Sequence, residues 1–235
     1  VHARPDEDAL GTQPPRRRAG HGRADAELAG FVTGRADHAP LGRRRADDDR
    51  LAAQRRLVVT VHDLAFRHLP NTVQKETLDN LERQLPTTLA AADAIIAVSQ
   101  ATADDLHALL GVNDRRVHVV HEGVDATFNA PGGALPPGLP ARFLLFVSTL
   151  EPRKNLAGLL AGFERAVADG YGGDLVLVGR WGWRTEAARR AFADSPVRGR
   201  IHHLDGLDRA ALNAAMRRAE ALLFPSLLEG FGLPV

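Results

Sequence analysis

The chain of 235 residues contains no cysteine, which excludes a disulfide framework and thiolate metal sites and fits a reducing, cytoplasmic compartment. No run of about 18 apolar residues occurs, so we expect no membrane-spanning segment. The start of the sequence lacks a continuous apolar stretch, which predicts no signal peptide. Lys and Arg number 30 against 29 Asp and Glu. A net charge of +1 gives no general electrostatic argument for binding nucleic acid or an anionic membrane.

Several catalytic signatures are also absent. There is no G-x-x-x-x-G-K-[ST] loop, which excludes P-loop phosphoryl transfer, and there is no G-x-S-x-G elbow. The histidines, including those at 118, 121, 202 and 203, lack metal-ligand spacing with carboxylates, so we predict no metal site. The remaining composition, 44% hydrophobic and 25% charged, is typical of an ordinary soluble protein.

Composition divides the chain after residue 56. Residues 1–56 contain the runs RRR and DDD, few large aliphatic residues, and Phe31 as their sole aromatic residue. So little apolar surface predicts a disordered segment, and a non-native stretch of sequence is the other interpretation. A basic arm that binds nucleic acid is disfavoured, because acidic residues are interleaved with the basic ones.

From Leu57 onward, short apolar runs alternate with helical patterns. We predict strands at 57–63, 94–99, 143–149, 174–179, 200–206 and 221–224, and a strand followed by a turn at 116–125. We predict helices at 73–92 with a kink at Pro86, at 100–110 between a Ser99 cap and Gly111, at 155–168, near 185–194 and at 208–220. The Pro- and Gly-rich stretch 129–141 is interpreted as a linker. This order predicts an α/β fold with two halves, 57–128 and 142–235, each built on a mostly parallel sheet.

In such folds ligands bind beyond the carboxyl ends of the strands. Arg153 and Lys154 follow one predicted strand and precede a helix, a position that suits a diphosphate; a solvated basic pair is the alternative. Gly179 follows the next strand, in VGRWGW, and permits close approach to its backbone. There the two tryptophans either border a nucleobase or simply pack beside a tight turn.

Two further loops contain candidate residues. Glu229 precedes Gly230, Phe231 and Gly232, whose backbone amides can face a phosphate or a sugar. The carboxylate itself suits sugar hydroxyls better than phosphate, and a structural turn with an exposed glutamate is the alternative. His62 ends the first strand of the first half, where a histidine can donate a hydrogen bond or carry a proton; a structural histidine is the alternative.

Six segments in order, VHDLAF, AIIAVSQAT, VVHEGVD, FVSTLEPRKN, LVGRWGW and FPSLLEGFGLPV, resemble the retaining GT-B glycosyltransferases of family 4, especially their bacterial mannosyltransferase-like branch. The resemblance covers residues 57–235. It implies a GT-B fold of two Rossmann-like halves, both incomplete here: an acceptor-side half at 57–128 and a donor-binding half at 142–235. It also implies transfer of a hexose, with mannose favoured, from a GDP- or UDP-linked sugar to a glycan or lipid-linked acceptor. The same resemblance implies that the anomeric configuration is retained and that no cofactor or metal is needed. It also implies a role in polysaccharide biosynthesis, in the cytoplasm or peripherally at the inner membrane face.

The resemblance assigns a role to each candidate. Arg153 and Lys154 match the diphosphate-binding pair and neutralise the leaving group. Glu229 matches the first glutamate of a paired motif beside the donor sugar, and Gly230 to Gly232, with Phe231 between them, match its backbone-contact turn. His62 matches a strand-end histidine near the transferred sugar.

Three departures from the family pattern qualify these expectations. Ser148 stands where the family usually has glycine and is expected to crowd the phosphates. The second glutamate of the paired motif, eight positions after Glu229, has no counterpart, and residues 1–56 show no convincing strand with a glycine-rich loop. We therefore expect a fragment of an enzyme with little or no activity of its own. A nucleotide-sugar-binding remnant without turnover is the competing interpretation.

Overall fold

The computed structural model describes residues 32–33, 56–131 and 133–234. The predicted disordered or non-native segment 1–56 thus lies outside the described residues, except for residue 56 and for Val32–Thr33. These two residues form a short strand that the sequence did not indicate.

The first half is built around a four-stranded sheet. Its elements are β1 (Val32–Thr33), β2 (Val58–Val61), α1 (Ala65–His68), α2 (Lys75–Ala91), β3 (Ala94–Ala97), α3 (Gln100–Leu110) and β4 (Val117–Val119). The strand order is β1-β2-β3-β4. Strands β2, β3 and β4 are parallel, as predicted, whereas β1 pairs antiparallel with β2.

Helical periodicity explains how α2 packs on this sheet. Leu81, Leu85 and Leu89 recur every four residues and are buried, so they form one apolar stripe. Pro86 is exposed beside this stripe, and the helix continues through it to Ala91. The predicted caps of α3 are confirmed: Ser99 accepts a hydrogen bond from the Thr102 amide, and Gly111 ends the helix with φ 63°.

The second half contains a fully parallel sheet. Its elements are β5 (Phe143–Val147), α4 (Leu156–Ala168), β6 (Asp174–Val178), α5 (Glu186–Asp194), β7 (Ile201–Leu204), α6 (Arg209–Arg218) and β8 (Ala221–Leu222). Their order is β7-β6-β5-β8, so the direction of strand addition reverses between β5 and β8. Such a reversal opens a crevice at the carboxyl ends of the two strands.

Both faces of the second sheet are covered. Phe146 and Leu177 pack towards α4 and α5, and Phe143 and Val176 pack towards α6. All four side chains are buried. The near-continuous apolar sequences of β5 and β6 are therefore explained by burial on two sides.

The chain between the two sheets forms a short 3-10 turn, Ala126–Asn129, and the residues that the structure describes between this turn and β5 belong to no helix or strand. The start of this stretch is held against α6, since the Asn213 side-chain amide donates to the carbonyl oxygens of Thr127 and Ala130 at 2.8 and 3.1 Å. Within the described part of the chain, no helix is both long and apolar enough to cross a membrane.

Candidate functional site

The crevice between β5 and β8 brings together three residues predicted from sequence. Arg153 and Lys154 lie in a 3-10 turn, Pro152–Lys154, that follows β5 and leads into α4. Glu229 lies in the loop that follows β8. These residues are 75 and 76 positions apart in sequence, and adjacency of β5 and β8 places them in contact.

Glu229 binds both cations. Lys154 Nζ donates to Glu229 Oε1 at 2.5 Å, and Arg153 Nη1 donates to Glu229 Oε2 at 3.0 Å. Arg153 Nη1 also donates to the Leu228 carbonyl oxygen at 2.7 Å. The glutamate is therefore not simply exposed at a turn: its carboxylate occupies the donors that we expect to hold a diphosphate.

Two more carboxylates surround Arg153. Glu151 Oε1 lies 3.2 Å from Arg153 Nη2, and Asp63 Oδ2 of the first half lies 3.9 Å from Arg153 Nη1. Together with Glu229, three carboxylates thus lie within 4 Å of one guanidinium. Neither Glu151 nor Asp63 was expected from sequence to contact Arg153, although both adjoin or lie close to predicted residues, because a sequence does not show where a carboxylate points.

Burial and charge act differently on these acids. Burial raises the pKa of Glu151, although the neighbouring cations oppose this effect. Burial also works against ionisation of Glu229, but the hydrogen bond and charge of Lys154, with the charge of Arg153, outweigh it and hold the pKa of Glu229 below its usual value. Burial disfavours the charged form of Arg153, yet the three carboxylates raise its pKa overall. Glu229 is thus ionised at neutral pH, where its carboxylate binds Arg153 and Lys154.

His62 of the first half lies beside the loop that follows β8, which its backbone contacts. Its Nδ1 lies 2.8 Å from Glu122 Oε1, and its carbonyl oxygen accepts a hydrogen bond from Thr102 Oγ1 at 3.2 Å. The two halves are in contact here. The Gly230 backbone lies so close to the His62 carbonyl oxygen that a Cβ atom added to Gly230 would be 1.7 Å from it. Only glycine permits this approach, so the structure brings His62 next to the loop that contains Glu229.

The rest of this loop combines exposure with unusual backbone geometry. Phe231 packs its ring 5.5 Å from that of His121, across the boundary between the halves. Gly232 has φ 93°, a left-handed conformation that favours glycine. The contact of this turn with a phosphate or a sugar stays a prediction.

Gly179 and Ser148 contact each other. A Cβ atom on Gly179 would lie 1.9 Å from the Ser148 carbonyl oxygen, and Gly179 has φ 140°. The close backbone approach expected at Gly179 therefore exists, and its partner in this structure is the loop that begins at Ser148. Whether Ser148 crowds a phosphate stays a prediction.

The two tryptophans of VGRWGW pack rather than frame an open surface. Trp181 is partly buried and packs against the core beside α5, where its ring is 5.8 Å from that of Phe192 and Arg189 stacks over it at 4.4 Å. Trp183 Nε1 donates to the Thr72 carbonyl oxygen of the first half at 2.8 Å. Of the two interpretations given to these tryptophans, the structure therefore supports packing.

No group of three or more metal-type ligands is found among the residues that the structure describes. His202 pairs with Asp174 on the adjacent strand at 2.7 Å, and His203 bonds to the Gly179 carbonyl oxygen at 2.8 Å. Both contacts join neighbouring strands or their ends.

Two α/β halves, each built on a mostly parallel sheet with helices and in contact with each other at the loop that follows β8, are typical of the GT-B class of fold. Comparison with known proteins gives the family. Residues 36–128 match Glycosyltransferase Family 4, and residues 136–235 match Glycosyl transferases group 1. The chain belongs to the GT-B glycosyltransferases of family 4 and is mannosyltransferase-like, which confirms the resemblance found in the sequence.

Curated relatives include the serotype-specific mannosyltransferase WbdA of Escherichia coli, 28% identical over 196 residues, which cover 74% of this chain and 24% of WbdA. The O-antigen chain mannosyltransferase B of the same species is 25% identical over 190 residues, which cover 77% of this chain and 49% of the relative. The chain thus spans between about a quarter and a half of these relatives. Sucrose-phosphate synthase from Thermosynechococcus elongatus matches the fold with a TM-score of 0.57 at 21% identity, over 80% of this chain and 49% of the synthase.

Proposed function

We propose that this chain belongs to a retaining mannosyltransferase that takes mannose from a nucleotide-diphosphate sugar and transfers it to a glycan or lipid-linked acceptor. The observation that carries the proposal is the meeting of Arg153, Lys154 and Glu229 at the β5–β8 switch point, with His62 against the same loop. In this proposal the transfer takes place in the cytoplasm, with the acceptor at the inner face of the membrane.

In this proposal Arg153 and Lys154 bind the diphosphate and stabilise the negative charge that develops on it as the sugar leaves. Arginine supplies two parallel donors and lysine a compact charge, so the pair can neutralise the leaving group without a metal ion. Glu229 accepts hydrogen bonds from hydroxyls of the donor sugar. His62 lies beside that sugar and presents its ring to the transferred group.

One observation favours a second candidate, a protein that binds nucleotide sugars weakly and transfers nothing. Three carboxylates already lie within 4 Å of Arg153, so an incoming diphosphate must compete for the guanidinium. If the three carboxylates bind the Arg153 guanidinium more strongly than a diphosphate does, weak nucleotide binding without turnover follows.

Two variants test the diphosphate site. Arg153→Ala and Lys154→Ala should each weaken the binding of GDP or UDP about 10- to 100-fold, because each removes one charge-assisted contact of about 1.5–3 kcal/mol. Lys75→Ala is the matched control, since Lys75 pairs with the exposed Asp79 on α2. Isothermal titration calorimetry on the chain measures the affinities. Unchanged nucleotide binding in both site variants would remove the diphosphate assignment.

Transfer decides between the two candidates. The complete product of the gene that encodes this chain is incubated with radiolabelled GDP-mannose and lipid-linked glycan acceptors. Label in the glycan with retained anomeric configuration supports the transferase. Nucleotide binding that depends on Arg153 and Lys154, without any transfer, supports the weak binder instead.

A further inference from the structure

His62 forms a close contact with Glu122, a residue to which the proposed function assigns no role. We propose that Glu122 is a positioning residue for His62: its carboxylate fixes the orientation of the imidazole and holds the proton of the neutral ring on Nδ1. The inference rests on the proposed function for its catalytic consequence, but the contact itself does not.

The topology of the first sheet brings the side chains of His62 and Glu122 together. His62 follows β2 and Glu122 follows β4, and β3 lies between these strands, so the two side chains meet across the carboxyl end of β3. The Nδ1 to Oε1 distance is 2.8 Å, and the side chains are 29% and 22% exposed. A pair this short and this shielded from water restricts both side chains.

The backbone of His62 is fixed independently of Glu122. Its carbonyl oxygen accepts the Thr102 hydroxyl and lies against Gly230 of the other half. The main freedom left to the residue is rotation of its side chain. The 2.8 Å contact with Glu122 restricts this rotation, and we infer that it sets the direction in which the ring points.

A histidine–carboxylate pair alone is no evidence of a site. His68 and Asp105 also lie 2.8 Å apart, with similar exposure of 37% and 27%. That pair joins α1 to α3, and neither residue contacts the loop that follows β8 in any described hydrogen bond or ion pair. The position of His62 against Gly230, one residue from Glu229, distinguishes the Glu122 pair.

The chemical consequence concerns the two ring nitrogens. A carboxylate accepts only, so the neutral ring must donate through Nδ1–H, which makes Nε2 the acceptor nitrogen. A protonated ring also donates through Nδ1–H, so the same carboxylate keeps its orientation in that state. In both states Glu122 selects the face that His62 presents to a sugar hydroxyl.

The tautomer can be read without turnover, by long-range ¹H–¹⁵N NMR of the chain labelled at histidine nitrogen, at a pH where the ring is neutral. The His62 signals are assigned by their loss in His62→Gln. We expect the Nδ1–H form in the unaltered chain and in Glu122→Gln, whose side-chain oxygen still accepts. We expect a shift towards the Nε2–H form in Glu122→Ala. Asp105→Ala is the matched control and should leave the His62 signals unchanged.

Kinetics of the complete gene product give the second readout. Glu122→Ala should lower kcat about tenfold, because a ring that is no longer held in place loses the hydrogen bond of Nε2 to the sugar hydroxyl in the transition state, with donor KM within about twofold. Glu122→Gln should stay within about threefold of the unaltered kcat. A loss of kcat in both variants, or an unchanged tautomer in Glu122→Ala, overturns the positioning role. A tautomer that responds to Glu122 in a protein without any transfer activity refutes the proposed function and leaves the positioning role standing.

Discussion

Replacing Glu229 by glutamine should tighten the binding of a free diphosphate. The Glu229 carboxylate binds Lys154 at 2.5 Å and Arg153 at 3.0 Å, and the three side chains are between 11% and 22% exposed. A diphosphate needs the same donors. Glutamine keeps the size of the side chain but removes the charge, so it competes far less for the two cations.

The size of the effect follows from the contacts that the diphosphate must replace. A hydrogen bond to a charged group contributes about 1.5–3 kcal/mol, and partial exposure to water places these contacts towards the low end. Because the glutamine amide retains part of the contact, we expect the net gain to be about 2 kcal/mol, or about 30-fold in Kd.

Calorimetric titration of the chain with pyrophosphate measures the gain directly and needs no knowledge of the nucleotide or sugar. Glu82→Gln is the matched control, because Glu82 pairs with Arg67 at 2.8 Å in the first half and the variant makes the same change in net charge. Unchanged or weaker pyrophosphate binding in Glu229→Gln, relative to this control, would refute the competition between Glu229 and the diphosphate. For the nucleotide sugar, the variant should gain affinity at the diphosphate and lose recognition of the sugar.

Three further predictions concern the frame of the site. Gly230→Ala should destabilise the chain by about 1–3 kcal/mol in denaturant unfolding, because the new methyl group would lie 1.7 Å from the His62 carbonyl oxygen, whereas Gly162→Ala in α4, where nothing lies within 4 Å, should be neutral or stabilising. Ser99→Ala should cost about 1 kcal/mol of unfolding free energy, since it removes the hydrogen bond to the Thr102 amide at the start of α3; no loss would mean that this cap contributes nothing. Burial, assisted by a hydrogen bond to Glu220, raises the pKa of Tyr171 from 10.0 to about 12. Since Tyr171 is the single tyrosine, absorbance titration reads it directly; the folded form should lose stability as pH rises through this range, and an ordinary tyrosine titration in the folded chain would contradict the assignment.

Much of the fold could be predicted because its signals are local. The apolar runs that form β5 and β6 are buried on both faces, and the predicted helix at 155–168 matches α4 within a residue. The strand and turn predicted at 116–125 are present, but the strand covers only Val117–Val119. An alternating pattern of valine and polar residues looks the same in sequence whether or not a second strand is present to pair with it.

The residues of the candidate site were named from sequence, but the contacts between them were not predicted. Arg153, Lys154, Glu229 and His62 were all named from sequence, and the structure brings them to one crevice. That Glu229 binds both cations could not be predicted, because the contact depends on the adjacency of β5 and β8, a non-local pairing. Glu122 is a similar case, since it meets His62 only because the carboxyl ends of β2 and β4 lie at one edge of the first sheet.

The loop that contains Glu229 is anchored on both sides of the carboxylate. Before it, the Leu227 amide donates to the Arg153 carbonyl oxygen at 2.9 Å, and the Leu228 carbonyl oxygen accepts from Arg153 Nη1 at 2.7 Å. After it, Gly230 lies against the His62 carbonyl oxygen. Because the backbone is held at these points, the carboxylate can leave the two cations by rotation of its own side chain. In the proposed function, exchange of Glu229 for a diphosphate therefore requires rotation of one side chain rather than separation of the two halves, and we expect the released carboxylate to bind hydroxyls of the donor sugar.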